Sequence, residues 1–174
     1  MSMFVSQTRL RCWLLLAAFG AMLLTGCGFH LRGADGALKM PFASLYLAMD
    51  ARSPLGVELA RNIRATGGAK LVSSAKEAEA SLEVLAEAKD KTVLSLNSAG
   101  RVREYALTHS LRFRVVDKLG RELLMPTEIN LRRSISFNES QVLAKEAEEA
   151  LLFRDMQTDL VQQILRRLAA ISTT

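Results

Sequence analysis

The chain has 174 residues, 49% hydrophobic and 24% charged, with 23 Lys and Arg against 18 Asp and Glu for a net charge of +5. That length suits one domain with a buried core. With only two Cys and two His, no grouping supplies the three or four ligands that a metal site needs, and no internal repeat or low-complexity tract occurs.

Arg9 and Arg11 make the first residues positive, and no acidic residue precedes Cys27. Trp13 to Leu24 is an apolar run of twelve residues. A helix needs roughly 20 residues to cross a bilayer, so this run is too short. Leu24-Thr25-Gly26-Cys27 closes it, and a small residue before Cys at that point resembles the lipobox of bacterial lipoproteins. The resemblance implies a diacylglyceryl group on the Cys27 thiol, cleavage before Cys27 and acylation of the new amine. The alternative is an ordinary secretory signal. One acyl chain binds a membrane only reversibly, at about 0.8 kcal/mol per buried CH₂, whereas three would make release very slow. Gly28 follows where an Asp would retain the protein in the inner membrane, so the sorting rule implies the periplasmic face of the outer membrane. The expected organisation is a removed signal (1–26), a lipid-anchored tether (27–43) and a single α+β domain (44–174). Cys12 leaves with the signal and Cys27 is taken by lipid, so no disulfide is expected. After Cys27 no eighteen-residue window is free of charge, which argues against a membrane-spanning helix.

Residues 28–43 hold three Gly and one Pro without a sustained period and read as tether. Ser44 to Met49 alternates, with Leu45, Leu47 and Met49 on one side, which predicts a first strand. Ser53-Pro54 is an N-cap followed by Pro at the first helical position. Leu55, Leu59 and Ile63 then recur every four residues until Gly67-Gly68, predicting a three-turn amphipathic helix.

Three further strands are predicted. Leu82, Val84, Ala86, Ala88, Thr92, Leu94 and Leu96 share one parity of the first, against Ser81, Glu83, Glu87 and Lys89. Tyr105 to Val115 and Leu123 to Phe137 alternate in the same way. One face of each is apolar and one polar, as in an antiparallel sheet covered on a single side. Asn97-Ser98-Ala99-Gly100 and Asp117-Lys118-Leu119-Gly120 are short turns that make the three a meander. Pro126 places the last strand at an edge or a bulge. Asn138 and Gln141 suggest a capping box for a final helix, with an apolar stripe from Leu143, Ala147, Ala150 and Leu151 through Met156, Leu160, Ile164, Leu165 and Leu168. Some thirty helical residues would span about 45 Å. The expected fold is a two-layer α+β sandwich, a four-stranded sheet with two helices packed on one face.

The signal contains two of the basic residues and no acidic one, which leaves +3 on residues 27–174. Arg101 to Arg133 alone carries eight basic and four acidic residues. Such a stretch is either a solvated sheet face or a surface that meets a polyanion. Catalytic signals are lacking. His30 lies in the tether and His109 falls on the apolar parity of a strand, as a hydrogen-bonded core residue would. No nucleophile elbow, zinc motif or phosphate-binding Gly loop occurs. Glu146, Glu148 and Glu149 suit a solvated helix face better than acid–base work. The chain is expected not to be an enzyme, and neither a cofactor nor a nucleic-acid partner is expected.

Cys27-Gly28-Phe29-His30-Leu31-Arg32-Gly33 after the lipobox, Leu143-Ala144-Lys145-Glu146 in the last helix, and Leu165-Arg166-Arg167-Leu168 at its end resemble the LptE/RlpB family of lipopolysaccharide-assembly lipoproteins. The resemblance covers the whole chain after the signal. It implies a plug inside the LptD β-barrel that assists barrel assembly and lipopolysaccharide delivery to the outer leaflet, and that binds lipopolysaccharide itself. Of the family's basic positions for that binding, one carries over as Lys145. The other lies in the turn that here reads Asn97-Ser98-Ala99-Gly100-Arg101, where the spacing differs and Arg101 is a substitute. Arg103 flanks the same turn. Arg pairs with phosphate through its planar fork, which suits the phosphates of lipid A. The competing expectations are a lipoprotein scaffold of another envelope machine and a lipid carrier, the latter needing a more enclosing sheet than four strands.

Overall fold

The computed structural model describes residues 39–172. Its elements are β1 (Ser44–Ala48), α1 (Pro54–Thr66), β2 (Lys70–Leu71), β3 (Ala80–Leu96), β4 (Val102–Asp117), β5 (Glu122–Ser136) and α2 (Val142–Ala169), with single 3₁₀ turns at Ala75–Glu77 and Glu139–Gln141. The sheet runs β2-β1-β3-β4-β5. β1 lies parallel to both β2 and β3, and β3, β4 and β5 form the antiparallel meander that their alternation predicts. The sheet therefore has five strands where four were expected. The extra one is the two-residue β2, too short to carry any alternation.

α1 begins as its sequence dictates. Ser53 Oγ accepts from the Gly56 N–H at 3.0 Å and donates to the Asp50 carbonyl at 2.8 Å, with Pro54 opening the helix. Leu55, Leu59 and Ile63 are buried against Leu45, Leu82, Phe113 and Val115 of the sheet and Leu160, Ile164 and Leu168 of α2, so both helices cover the same face. Glu58 ties them together, accepting from Gln157 at 2.7 Å and from Thr158 at 2.8 Å. Phe42, placed in the tether by the sequence, is buried in this core.

Two sequence patterns fail at identifiable points. The parity read along β3 holds only to Val84. A bulge at Leu85 brings Ala86 opposite Arg112 and Glu87 opposite Leu111. Directly opposed residues share a face, so Ala86, Ala88 and Thr92 turn to the open side while Glu87, Lys89 and Lys91 turn to the helix side. Along α2 the stripe is buried only from Met156 onward, and Leu143 (83%) and Leu151 (54%) stand exposed. The first half of α2 instead packs through Leu152 and Phe153, in a small cluster with Leu107 and Ile135. Asn138 caps the 3₁₀ turn through the Ser140 N–H, and no side chain caps α2 itself. In β5 the register shifts across Met125 and Pro126, and Met125 is exposed. Pro126 thus sits at both an edge and a bulge.

His109 is fully buried on the helix side, its Nε2 2.9 Å from Glu87 Oε1 and its Nδ1 without a partner. Burial lowers its pKa from 6.5, the Glu87 hydrogen bond opposes that, and Lys89 adds to it. The unfolded chain therefore takes up the proton first, and the neutral imidazole's contribution to stability is lost as pH falls below about 6.5. Chemical unfolding between pH 8 and 5 should show stability declining on the acid side, with a shallower decline in His109→Gln.

Candidate functional site

The β3–β4 turn marks one end of the molecule, called here the far end. Asn97 Oδ1 accepts from Ala99 N at 3.0 Å and Arg101 N at 2.9 Å, and Asn97 N donates to the Arg101 carbonyl at 2.8 Å. Gly100 completes the loop at φ +74°, a left-handed conformation natural to glycine. The turn is thus fixed by its own hydrogen bonds, which holds Arg101 and Arg103 at defined places on the strand that follows.

Arg101 and Arg103 line a cavity of about 290 Å³ with Asn97, Val102, Phe137 and Glu139. Arg101 Nη1 is 3.5 Å from Glu139 Oε2, both being well exposed. A second cavity of about 190 Å³ is lined by Lys91, Tyr105, Ile135, Phe137, Val142 and Lys145, with Glu146 and Glu149. Phe137 belongs to both, and it meets Tyr105 edge to face at 5.3 Å. The three basic residues singled out from the sequence therefore gather around one aromatic side chain, although Lys145 lies on a different element from the other two.

Their states differ. Lys145 donates to Ser136 Oγ at 3.0 Å and Glu148 Oε2 at 2.8 Å, and only 16% of its side chain is exposed. Two of the three donors of its ammonium are thus taken, and one remains for a ligand. Arg101 is far more open. Lys91 was missed in the sequence, because the bulge at Leu85 reverses the parity that would have placed it. Its ammonium stands 4.3 Å over the Tyr105 ring and 2.5 Å from Glu149. A cluster of Arg and Lys with apolar walls from Phe137, Val102 and Val142 can hold an anionic group beside an alkyl chain.

The rest of the basic stretch divides between the two faces. Arg112, Arg114 and Arg132 lie on the open face, where Arg114 bridges Glu83 at 2.7 Å and Glu122 at 3.5 Å. Arg133 lies on the helix side and pairs with Asp159 of α2 at 2.7 Å. Cys27 lies outside the described residues. Among the described residues no group of three His, Cys, Asp or Glu could hold a metal, and no helix is long and apolar enough to cross a membrane.

The family described as LptE, Lipopolysaccharide-assembly, matches residues 42–168. The chain is 28% identical over 168 residues to the LPS-assembly lipoprotein LptE of Pectobacterium atrosepticum, spanning 94% of this chain and 88% of that one. The solution structure of lipoprotein B from Nitrosomonas europaea superimposes with a TM-score of 0.71 at 40% identity, covering 83% of this chain and 92% of its own. The crystal structure of rare lipoprotein B from Shewanella oneidensis gives 0.64 at 27% identity, covering 73% and 94%.

Proposed function

The chain belongs to the LptE lipopolysaccharide-assembly family, and from that premise we propose that it is a lipid-anchored outer-membrane protein of lipopolysaccharide assembly. It seats as a plug in the LptD β-barrel and binds lipopolysaccharide at the far end of its sheet. The observation that carries the binding is the gathering of Arg101, Arg103 and Lys145 around Phe137. Lipid A offers phosphates to such cations and acyl chains to such walls.

Dimensions support the plug. β3 has 17 residues, which at about 3.3 Å each extend about 55 Å. A bilayer with its headgroups is about 40–45 Å thick. A sheet of that length, anchored at one end on the periplasmic side, brings its far turn to the level of the outer leaflet. The open face, polar along β4 and β5, suits the wet lumen of a large barrel.

Replacing Arg101 and Lys145 together by Ala should weaken lipopolysaccharide binding about tenfold at low salt, close to 1.4 kcal/mol, and flatten its salt dependence. Unchanged binding by the folded double variant would remove these residues from the contact. Association with the barrel should survive that change, because it rests on shape and buried area. Affinity purification from detergent-solubilised membranes tests the partner, the expected result being a large β-barrel in near-equal amount. A different envelope assembly recovered instead would favour the scaffold reading. Cys27→Ser should abolish lipidation and leave an unprocessed precursor, read by mass spectrometry of the N-terminus. An unmodified Cys27 in the wild type, or cleavage elsewhere, would overturn the anchor.

A further inference from the structure

Most of the cations at the far end already hold an anion. Arg101 Nη1 lies 3.5 Å from Glu139 Oε2, Lys145 Nζ 2.8 Å from Glu148 Oε2, and Lys91 Nζ 2.5 Å from Glu149 Oε2. Arg103 alone of these cations enters no ion pair among the described residues. Lys91, Arg101, Arg103 and Lys145 thus stand against Glu139, Glu146, Glu148 and Glu149, and the charges balance. Resting on the reading of this site as one for lipopolysaccharide, we propose that Glu139, Glu148 and Glu149 are internal competitors for the phosphorylated lipid. Each carboxylate holds the place that a phosphate oxygen takes when the ligand binds.

The two anions are chemically interchangeable at such a site. Carboxylate and phosphate oxygens accept alike from Lys and Arg, and the Arg fork takes either as a bidentate pair. A phosphate monoester carries about −1.5 to −2 at neutral pH, more than a carboxylate. It therefore wins the exchange, by less than it would gain at a bare cation. Its points of entry are Arg103 and the ammonium donor of Lys145 that neither Ser136 nor Glu148 occupies. Glu139 and Glu148, 60% and 49% exposed, can then turn into water. Glu149 is only 22% exposed and makes the closest of the three pairs. Less water screens it, so it competes most strongly.

The exchange leaves the frame intact. Leu152 and Phe153 hold the first half of α2 to the sheet against Leu107 and Ile135, and Lys145 keeps its bond to Ser136. Exposed ion pairs add little to stability, so the effect of these three falls on the ligand. A displaced carboxylate stays within reach of its cation and returns as the phosphate leaves. That speeds release more than it slows capture. A protein that passes its lipid onward needs a hold of this kind, selective and brief.

The test titrates the full chain in dodecyl maltoside with fluorescent lipopolysaccharide and follows dissociation after a chase of unlabelled ligand. E139Q/E148Q/E149Q should bind about tenfold tighter than the wild type at low salt, mainly through slower dissociation. E149Q should give the largest single effect, and the salt dependence of the triple variant should steepen. Dephosphorylated lipopolysaccharide should gain nothing, and an equal gain there overturns phosphate as the incoming group. Asp90→Asn separates pairing from net charge. Asp90 adjoins Lys91 in the chain but stands opposite Thr108 on the open face, without an ion pair. D90N tightening binding as much as E149Q assigns the gain to net charge and overturns the exchange. A folded triple variant that binds and dissociates like the wild type also overturns it, while loss of binding in R101A/K145A keeps the site standing. Wild-type protein that takes up no lipopolysaccharide overturns the site and this inference with it.

Discussion

Phe113→Ala should lower the unfolding free energy by about 3–5 kcal/mol, the range for truncating a large aromatic in a core that cannot collapse. Phe113 is completely buried in the last third of β4, opposite Val84 and Thr127, under both helices. Its neighbours are held by two strands and two helices at once, so little can move in to fill the space. Denaturant titration of the domain supplies the measurement. A loss below about 1 kcal/mol would mean that the helices pack on the other face, and the register described here would fall with it.

Gly56→Ala should cost about 1–3 kcal/mol net, although it adds a single methyl and improves intrinsic helix propensity by about 1 kcal/mol. A Cβ built at Gly56 would stand 2.6 Å from the Asp50 carbonyl and 2.9 Å from Ser53 Oγ. The first is backbone and cannot swing away. It is also the acceptor for both Ser53 N–H and Ser53 Oγ–H, so pushing it back loosens the helix cap as well. Overpacking of this kind costs about 1–3 kcal/mol and loss of a cap about 1 kcal/mol. A neutral or stabilising Gly56→Ala in thermal unfolding would mean that the Asp50–Ser53 turn yields freely.

Much of this fold was legible because local chemistry and tertiary contact agree. Ser53-Pro54 starts α1 and Leu55, Leu59 and Ile63 bury it, each for a reason visible in the sequence. The meander was legible because each turn contains its own Gly. Register was another matter. A single inserted residue at Leu85 reverses the side chains of β3 from Ala86 to Val93, where the register shifts again, and no pattern in Val84-Leu85-Ala86 announces it. Lys91 was hidden for that reason. Leu143 and Leu151 were misjudged because a periodic stripe gives the angle of a face without saying how far along the helix a partner extends. Of the candidate site, the residues came from a family resemblance and the convergence on Phe137 came from the fold. Lys145 and Arg101 lie 44 positions apart in the chain, and only the β4–β5 register and the turn into α2 bring them together.

Asn97-Ser98-Ala99-Gly100-Arg101 and Asp117-Lys118-Leu119-Gly120-Arg121 make the same loop twice. Each opens on an Asx side chain that accepts from the second and fourth residues after it, and each closes on a left-handed Gly before an Arg. The middle pair contributes no side-chain hydrogen bond to either loop. Ser98-Ala99 and Lys118-Leu119 are therefore interchangeable fittings on identical mounts, one at each pole. Polarity along the long axis of the molecule is written in residues that the fold does not read, so the two poles can diverge in chemistry independently while the frame between them stays the same.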